Sequence, residues 1–162
     1  MMRNFLILIL SVCAISSLAQ TSISDCEGAI VLCGDLYTET QASLNSGNVI
    51  EATGICNQGL EQSSVWYTFT VQQAGNLSFI LNPLNSADDY DWGLFDITTG
   101  GCAGLGTTSP EVECNSYGLI GANGPTGIST TNGGSGSTNG PGNLNGPAYN
   151  ADLPVIVGST YA

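Results

Sequence analysis

Residues 64–71, with the sequence SVWYTFTV, place their side chains alternately on the two faces of an extended chain. One face carries the larger apolar set, which is Val65, Tyr67, Phe69 and Val71. A period of two residues, combined with β-branched and aromatic side chains, is typical of a β-strand. These residues therefore predict a strand, and residues 77–81, which alternate again after the turn-forming sequence QQAGN, predict its hairpin partner.

Residues 90–97, with the sequence YDWGLFDI, predict a third strand in which Asp91 points inward beside Phe95. Residues 29–32 and 154–157 are weaker strand candidates. After the first 19 residues, no segment shows an apolar stripe with the 3.6-residue period of a helix. Short strands separated by Gly, Asn and Pro favour an all-β fold, specifically a jelly-roll-like antiparallel β-sandwich.

Residues 1–19 combine the positive charge of Arg3, an apolar run over residues 5–10 and the small-residue end Ser17-Leu18-Ala19. This combination is the pattern of a secretory signal peptide, so we expect residues 20–162 to form the mature domain. No later stretch has the roughly 18 apolar residues that a membrane-spanning helix needs. The sequence therefore predicts a secreted, extracellular or cell-surface protein without membrane insertion.

The chain has 13 acidic side chains, one Arg, no Lys and no His, and its formal net charge is −12. Without His, Ser-His-Asp and Cys-His hydrolases are excluded, and without Lys, Walker-A nucleotide binding and Schiff-base chemistry are excluded. A strongly acidic chain is repelled by phosphate backbones, which argues against nucleic-acid partners. We expect a protein that is not an enzyme.

Five cysteines follow the predicted signal peptide: Cys26, Cys33, Cys56, Cys102 and Cys114. Export would place them in a compartment where disulfides persist. Their short spacings favour the local pairs Cys26–Cys33 and Cys102–Cys114, although spacing alone does not fix connectivity. Cys56 would then have no partner in this chain.

Residues 100–147 are rich in Gly, Asn, Ser and Thr and contain few large apolar side chains. This composition predicts a long Gly/Asn-rich surface loop that cannot build a core of its own. Loops of this length are usually either functional or disordered, so a flexible spacer and a binding loop both stay open.

Three carboxylates, those of Asp88, Asp89 and Asp91, lie within four residues. They repel one another unless a positive group lies between them, and the mature chain has no cationic side chain to place there. Calcium takes six to eight oxygen ligands, so it is the predicted cofactor at these residues. The alternative is a solvated acidic loop that leads into a strand.

Trp66 and Tyr90 are the aromatic residues predicted to bind a ligand, because exposed aromatic rings beside carboxylates suit carbohydrate. The alternative is that these rings pack in the core, since both alternate with apolar residues in predicted strands.

The segments SVWYTFTVQQAGNLSFIL and DDYDWGLFDIT, followed by GCAG, TGIST and an NGP-rich stretch, carry a resemblance to a known family. They resemble the N-terminal β-sandwich of large surface proteins that gliding bacteria export by the type IX secretion route. They are also similar to the bacterial pre-peptidase C-terminal (PPC) domain and, more distantly, to CUB-like jelly rolls. The resemblance covers residues 25–162 and is most specific over residues 66–98.

This resemblance implies a non-catalytic, gliding-motility-associated adhesion or interaction module that forms the N-terminal part of a larger exported protein. Its implied partners are extracellular glycans, proteins or neighbouring domains of the same polypeptide. Related jelly rolls bind calcium through acidic residues beside strand ends, which implies Asp88, Asp89 and Asp91 here. The alternative function is an accessory domain of a secreted protease or other hydrolase whose catalytic part lies beyond this chain.

The sequence ends at Ala162, within a predicted strand, where the similar families continue with a further apolar strand. We therefore expect a sandwich that is incomplete at its C-terminus and has an unpaired sheet edge there.

Overall fold

The computed structural model describes residues 22–40, 46–51, 54–56, 61–118, 123–139 and 146–162. These residues form eleven short strands and three single-turn 3-10 helices, Cys26–Gly28, Cys102–Gly104 and Thr130–Asn132. The strands are β1 (Ile30–Val31), β2 (Tyr67–Thr70), β3 (Gly75–Leu77), β4 (Phe79–Leu81), β5 (Trp92–Phe95), β6 (Glu111–Asn115), β7 (Thr126–Ile128), β8 (Thr138–Asn139), β9 (Tyr149–Asn150), β10 (Leu153–Val155) and β11 (Thr160–Tyr161). The all-β class is confirmed. The predicted signal peptide lies outside the described residues.

The last strand, β11, lies between two earlier strands. On one side it pairs antiparallel with β2, with Tyr161 opposite Phe69. On the other side the Phe95 N–H donates to the Ala162 carbonyl at 2.8 Å, and the Ala162 N–H donates to the Phe95 carbonyl at 3.0 Å. Both edges of this last segment are therefore paired, and the unpaired edge expected there is not observed.

The remaining strands pair mostly with partners that are distant in sequence. β5 pairs antiparallel with β6, which pairs parallel with β8, and β4 pairs antiparallel with β7, which pairs parallel with β9. β3 pairs with β10, and β1 pairs parallel with β2. The predicted hairpin between residues 64–71 and 77–81 is therefore wrong, because a turn signal predicts a chain reversal but not which strands pair afterwards.

The predicted third strand is observed as β5, but its faces differ from strict alternation. The register shifts between Leu94 and Phe95, and both of these consecutive side chains are buried. Such an irregularity re-aims the side chains on either side of it. Asp91, expected to point inward, is exposed.

The core is formed by residues in or next to β2, β5, β7, β10 and β11. Its buried members are Val71, Trp92, Leu94, Ile128, Val155 and Tyr161. Two aromatic pairs order it: Phe79 and Trp92 meet edge-to-face at 5.2 Å between ring centroids, and Phe69 stacks on Tyr161 at 5.6 Å.

Residues 100–147 are not a surface loop along their whole length. They contribute β6, β7 and β8, and Ile128 in β7 is completely buried in the core. Polar residues can form buried strands here because their side chains bond to one another, as described below. Residues 119–122 and 140–145 of this interval lie outside the described part of the chain.

The described residues contain two disulfides, and neither is local. Cys26 pairs with Cys102 and Cys56 pairs with Cys114, with sequence separations of 76 and 58 residues. The expected local pairing is thus corrected: Cys56 is bonded, whereas Cys33 is an exposed free thiol. The non-local sheets bring the turn at Cys26 to the turn that follows β5, so proximity in sequence does not predict proximity in space. Across the described ranges, no helix is long and apolar enough to cross a bilayer.

Candidate functional site

The loop between β4 and β5 carries most of the residues predicted to bind ligands. Asn85 folds this loop into a compact turn: its carbonyl accepts from the Asp88 N–H at 2.9 Å and its Oδ1 accepts from the Ala87 N–H at 3.1 Å. This is the side-chain-capped geometry that asparagine favours in turns. We call residues 85–91 the acidic loop.

A second segment holds the acidic loop from outside. Asn123 Nδ2 donates to the Ala87 carbonyl at 2.7 Å, and the Gly124 N–H donates to the Asp88 carbonyl at 3.3 Å. The Asp89 carboxylate lies directly against Gly118, where a Cβ atom would come within 2.4 Å of Asp89 Oδ2. The loop is therefore fixed by contacts with residues 29 to 36 positions later.

The acidic loop presents its functional groups to solvent. Asp88, Asp89 and Asp91 are exposed, and the Tyr90 side chain between them is 45% exposed. Partial desolvation, and then the negative charge of Asp89, raise the pKa of Asp91. All four predicted residues of the acidic loop are therefore accessible to a ligand.

The three carboxylates do not form a preassembled metal site. Within the described ranges, no group of three or more carboxylate, thiol or imidazole side chains is arranged so that it could hold a metal ion. Asp88 turns towards the side-chain amide of Asn85, at 3.4 Å. Calcium at Asp88, Asp89 and Asp91 stays a prediction.

Trp66, the other predicted aromatic ligand residue, is half-buried immediately before β2. Its indole N–H donates to Glu61 Oε1 at 3.0 Å, and its ring lies 5.8 Å from the Phe95 ring. The polar edge of the ring is thus already bonded within the protein. Packing explains Trp66 better than ligand stacking does, whereas Tyr90 is free to contact a ligand.

A second acidic group, which the sequence did not predict, lies at the N-terminal 3-10 turn. Asp25 is buried and accepts from the Asn48 N–H at 2.6 Å, from the Val49 N–H at 2.9 Å and from Asn48 Nδ2 at 2.9 Å. Desolvation opposes ionisation of Asp25, but these hydrogen bonds outweigh it and lower its pKa. Asp25 therefore anchors residues 48–49 as a carboxylate.

Glu51 and Glu61 lie beside this anchor. Glu61 is only 7% exposed and accepts from the Glu51 N–H at 2.8 Å, from the Trp66 indole and from the Ser64 hydroxyl. Glu51 Oε1 accepts from the Cys26 N–H at 2.8 Å, while its Oε2 is buried without a partner. Desolvation and the proximity of Glu61 raise the pKa of Glu51 to about 7. No short-range motif marks this pair, because its members are ten residues apart.

Another carboxyl, that of Glu113, lies in the interior, on β6. Asn150 is fully buried and donates to Glu113 Oε2 and to the Cys114 carbonyl, both at 3.1 Å. Its own Oδ1 accepts from Asn115 at 3.0 Å and from Asn139 at 2.6 Å. All four hydrogen-bonding positions of this amide are filled, so the network joins β6, β8 and β9 and has a structural role.

No protein-family model, no curated protein and no solved structure matches the chain. Its function must therefore be inferred from the chemistry of its own surfaces.

Proposed function

We propose that the protein is a non-catalytic, secreted adhesion or interaction module of the cell surface, and that the acidic loop is its glycan-binding surface. The observation that supports this most is the exposed Tyr90 ring between the exposed carboxylates of Asp89 and Asp91. An aromatic face packs against the apolar face of a sugar ring, and carboxylates accept hydrogen bonds from its hydroxyl groups.

The fixed shape of the loop supports the same function. Asn85 caps it from within, and Asn123 and Gly124 hold it from outside. A surface that is already ordered loses little conformational freedom on binding, so more of the interaction energy contributes to affinity.

The negative charge of the protein limits which glycans it could bind. The formal net charge is −12, and the recognition surface itself carries three carboxylates. Sulfated or uronic-acid glycans would be repelled, so we propose neutral or amino-bearing saccharides as ligands. The two disulfides and the signal-peptide pattern support an oxidising, extracellular location.

Calcium belongs to this proposal only as an additional ligand. Asp88, Asp89 and Asp91 are the residues that would hold it, but they do not converge in the structure. A bound calcium ion would draw these carboxylates together and would need further oxygen ligands from water or from the saccharide.

The test is binding of the purified protein to an array of neutral, amino-bearing and sulfated oligosaccharides, with calcium and with a chelator. We expect neutral or amino-bearing glycans to bind, and Tyr90→Ala to abolish the signal. Tyr37→Ala is the matched control, because Tyr37 is 47% exposed and also lies beside a carboxylate, that of Glu39. Equal binding by the Tyr90→Ala variant and the wild type would overturn the proposal.

A further inference from the structure

We propose that a cleft at the start of β6 binds the side chain of a lysine from a partner protein, and that Glu111 accepts a hydrogen bond from its ammonium group. The cleft has a volume of about 510 Å³. None of the residues that line it belongs to the acidic loop, so this inference does not depend on glycan binding.

The lining of the cleft is mostly apolar, and its shape is already fixed. Phe95, at the end of β5, is 2% exposed and forms the floor, while the exposed side chains of Ile55 and Pro110 form the sides. The Cys56–Cys114 disulfide ties the Ile55 segment to β6. The methylene stem of a lysine can pack against such a surface with little loss of conformational freedom in the protein.

Glu111 is the only charged residue that lines the cleft. Its Oε2 accepts from the Ile55 N–H, whereas its Oε1 is buried and has no hydrogen-bond partner. A buried carboxylate oxygen without a donor is costly, so this side chain lacks a positive group beside it. The terminal torsion of a glutamate has a broad range, so the unpartnered oxygen can turn towards a donor that enters the cleft.

Two glycines make the space in which this carboxyl group lies. An added Cβ atom at Gly54 would overlap with Glu111 Oε1, and one at Gly93 would come within 2.8 Å of the same oxygen. The carboxyl group is therefore surrounded by backbone on this side, and no side chain is placed there to donate to it.

Other buried carboxyl groups of the protein are satisfied by its own donors. Asp25 accepts from Asn48, and Glu113 accepts from Asn150. The other unpartnered carboxyl oxygen in the described part of the chain is Glu51 Oε2, but Glu51 does not line this cleft. Glu111 therefore combines an unpartnered oxygen with a cavity that a ligand can enter.

The missing positive group must come from another molecule. The only Lys or Arg in the sequence is Arg3, within the predicted signal peptide, and the chain has no His. Neither the mature domain nor a second copy of it has a cationic side chain to supply. Glu111 has one oxygen free, whereas the guanidinium fork of arginine is best matched by two acceptor oxygens. A compact ammonium group on an apolar stem, which is the side chain of lysine, fits this site better.

The test is NMR titration of the full isotope-labelled protein with three tripeptides whose ends are blocked: Gly-Lys-Gly, Gly-Arg-Gly and Gly-norleucine-Gly. We expect the lysine peptide to bind about tenfold more tightly than the other two. It should shift the amide signals of residues that line the cleft, namely Ile55, Gly106, Thr107 and Glu111. Glu111→Gln keeps the size of the side chain and should abolish the preference for lysine.

Two results would overturn the site. Equal binding of the lysine and arginine peptides, with shifts at residues 88–91, would show attraction to the net negative charge only. Butylamine has the same ammonium group and stem but no peptide backbone. Binding of butylamine as tightly as the lysine peptide would assign the cleft to small amines instead of a partner protein.

A second variant keeps the proposal falsifiable if Glu111→Gln fails to fold. Ile55→Ser removes a side chain that is 58% exposed, so the fold should persist while lysine binding weakens by about threefold. The matched control is Ile80→Ser in β4, because Ile80 is 52% exposed and does not line the cleft. Equal affinity of the Ile55→Ser variant and the wild type would also contradict the proposal.

Discussion

The side-chain amide of Asn150 donates to Glu113 Oε2 at 3.1 Å in the buried space between β9 and β6. In most proteins a buried carboxyl is balanced by a cation, but this chain has almost none to offer. Asparagine side chains take that role here, since an amide supplies hydrogen-bond donors without needing a counter-charge. Asp25 is balanced in the same way, because hydrogen-bond donors from Asn48 and from backbone N–H groups stand where a cation would otherwise be needed.

Removing the Asn150 side chain should destabilise the fold severely. Asn150→Ala would remove partners of Glu113, Asn115 and Asn139 at once. Each buried polar group left unsatisfied costs about 1–3 kcal/mol, so we expect a loss of at least about 3 kcal/mol. Urea denaturation measures this loss, and Asn76→Ala, at an exposed position in β3, is the matched control. A loss below about 1 kcal/mol would show that the network does not hold the strands together.

The stability of the protein should fall as the pH rises towards neutrality. Desolvation raises the pKa of Glu113 to about 7, from an ordinary value of 4.5. The native state therefore binds more protons than the unfolded state between these two values, and stability decreases across that window. Below pH 4.5 this group no longer changes stability, and the same holds above pH 7.

Thermal unfolding at intervals between pH 4.5 and pH 8 checks this prediction. The slope due to one such group is at most about 1.4 kcal/mol per pH unit. Glu113→Gln should flatten the profile, and adding Glu51→Gln should flatten it further, because the pKa of Glu51 is raised as well. A wild-type profile that rises with pH over this range would contradict the assignment of both groups.

The Cys56–Cys114 disulfide should stabilise the fold, whereas the free thiol of Cys33 should not. Replacing both Cys56 and Cys114 with Ser releases a constraint between residues 58 positions apart, which should cost about 2–5 kcal/mol. Cys33→Ser should be neutral, since this thiol is exposed and unbonded. Peptide mapping under non-reducing conditions provides the second check, and recovery of a Cys26–Cys33 peptide would contradict the pairing.

Glycan binding should depend on Gly118 although this residue need not touch the ligand. An added Cβ atom would meet the Asp89 carboxylate at 2.4 Å, so Gly118→Ala must displace Asp89. We expect affinity to fall about tenfold, or about 1.4 kcal/mol, with little change in melting temperature. Gly34→Ala is the control, because a Cβ atom there has no neighbour within 4 Å. Unchanged affinity in the Gly118→Ala variant would show that Asp89 is not part of the binding surface.

Features that depend on neighbouring residues could be predicted from the sequence. The alternation in residues 64–71 and 90–97 predicted β2 and β5, and the three carboxylates beside Tyr90 share one loop because they are close in sequence. Features that depend on distant residues could not be predicted. The partners of Cys26 and Cys56, and the insertion of β11 between β2 and β5, are set by the folded sheets.

Strands β6, β8 and β9 show why composition alone predicted a loop over residues 100–147. A segment rich in Asn and Thr predicts a loop when its polar groups are assumed to need water. In the folded protein, Asn115, Asn139 and Asn150 satisfy one another, so β6, β8 and β9 can be buried without an apolar pattern. The Glu51–Glu61 pair escaped prediction for the same reason, because only the fold brings its members together.

Recognition of saccharide by the acidic loop is tested most directly by NMR mapping of the bound surface. The chemical shifts of the backbone amides and of the indole N–H groups are recorded while the glycan that binds most strongly on the array is added to the isotope-labelled protein. We expect perturbations at residues 88–91, with smaller ones at Gly118, Asn123 and Gly124, and no change at the Trp66 indole. Perturbations centred on Trp66 and Glu61, with the acidic loop unaffected, would contradict it.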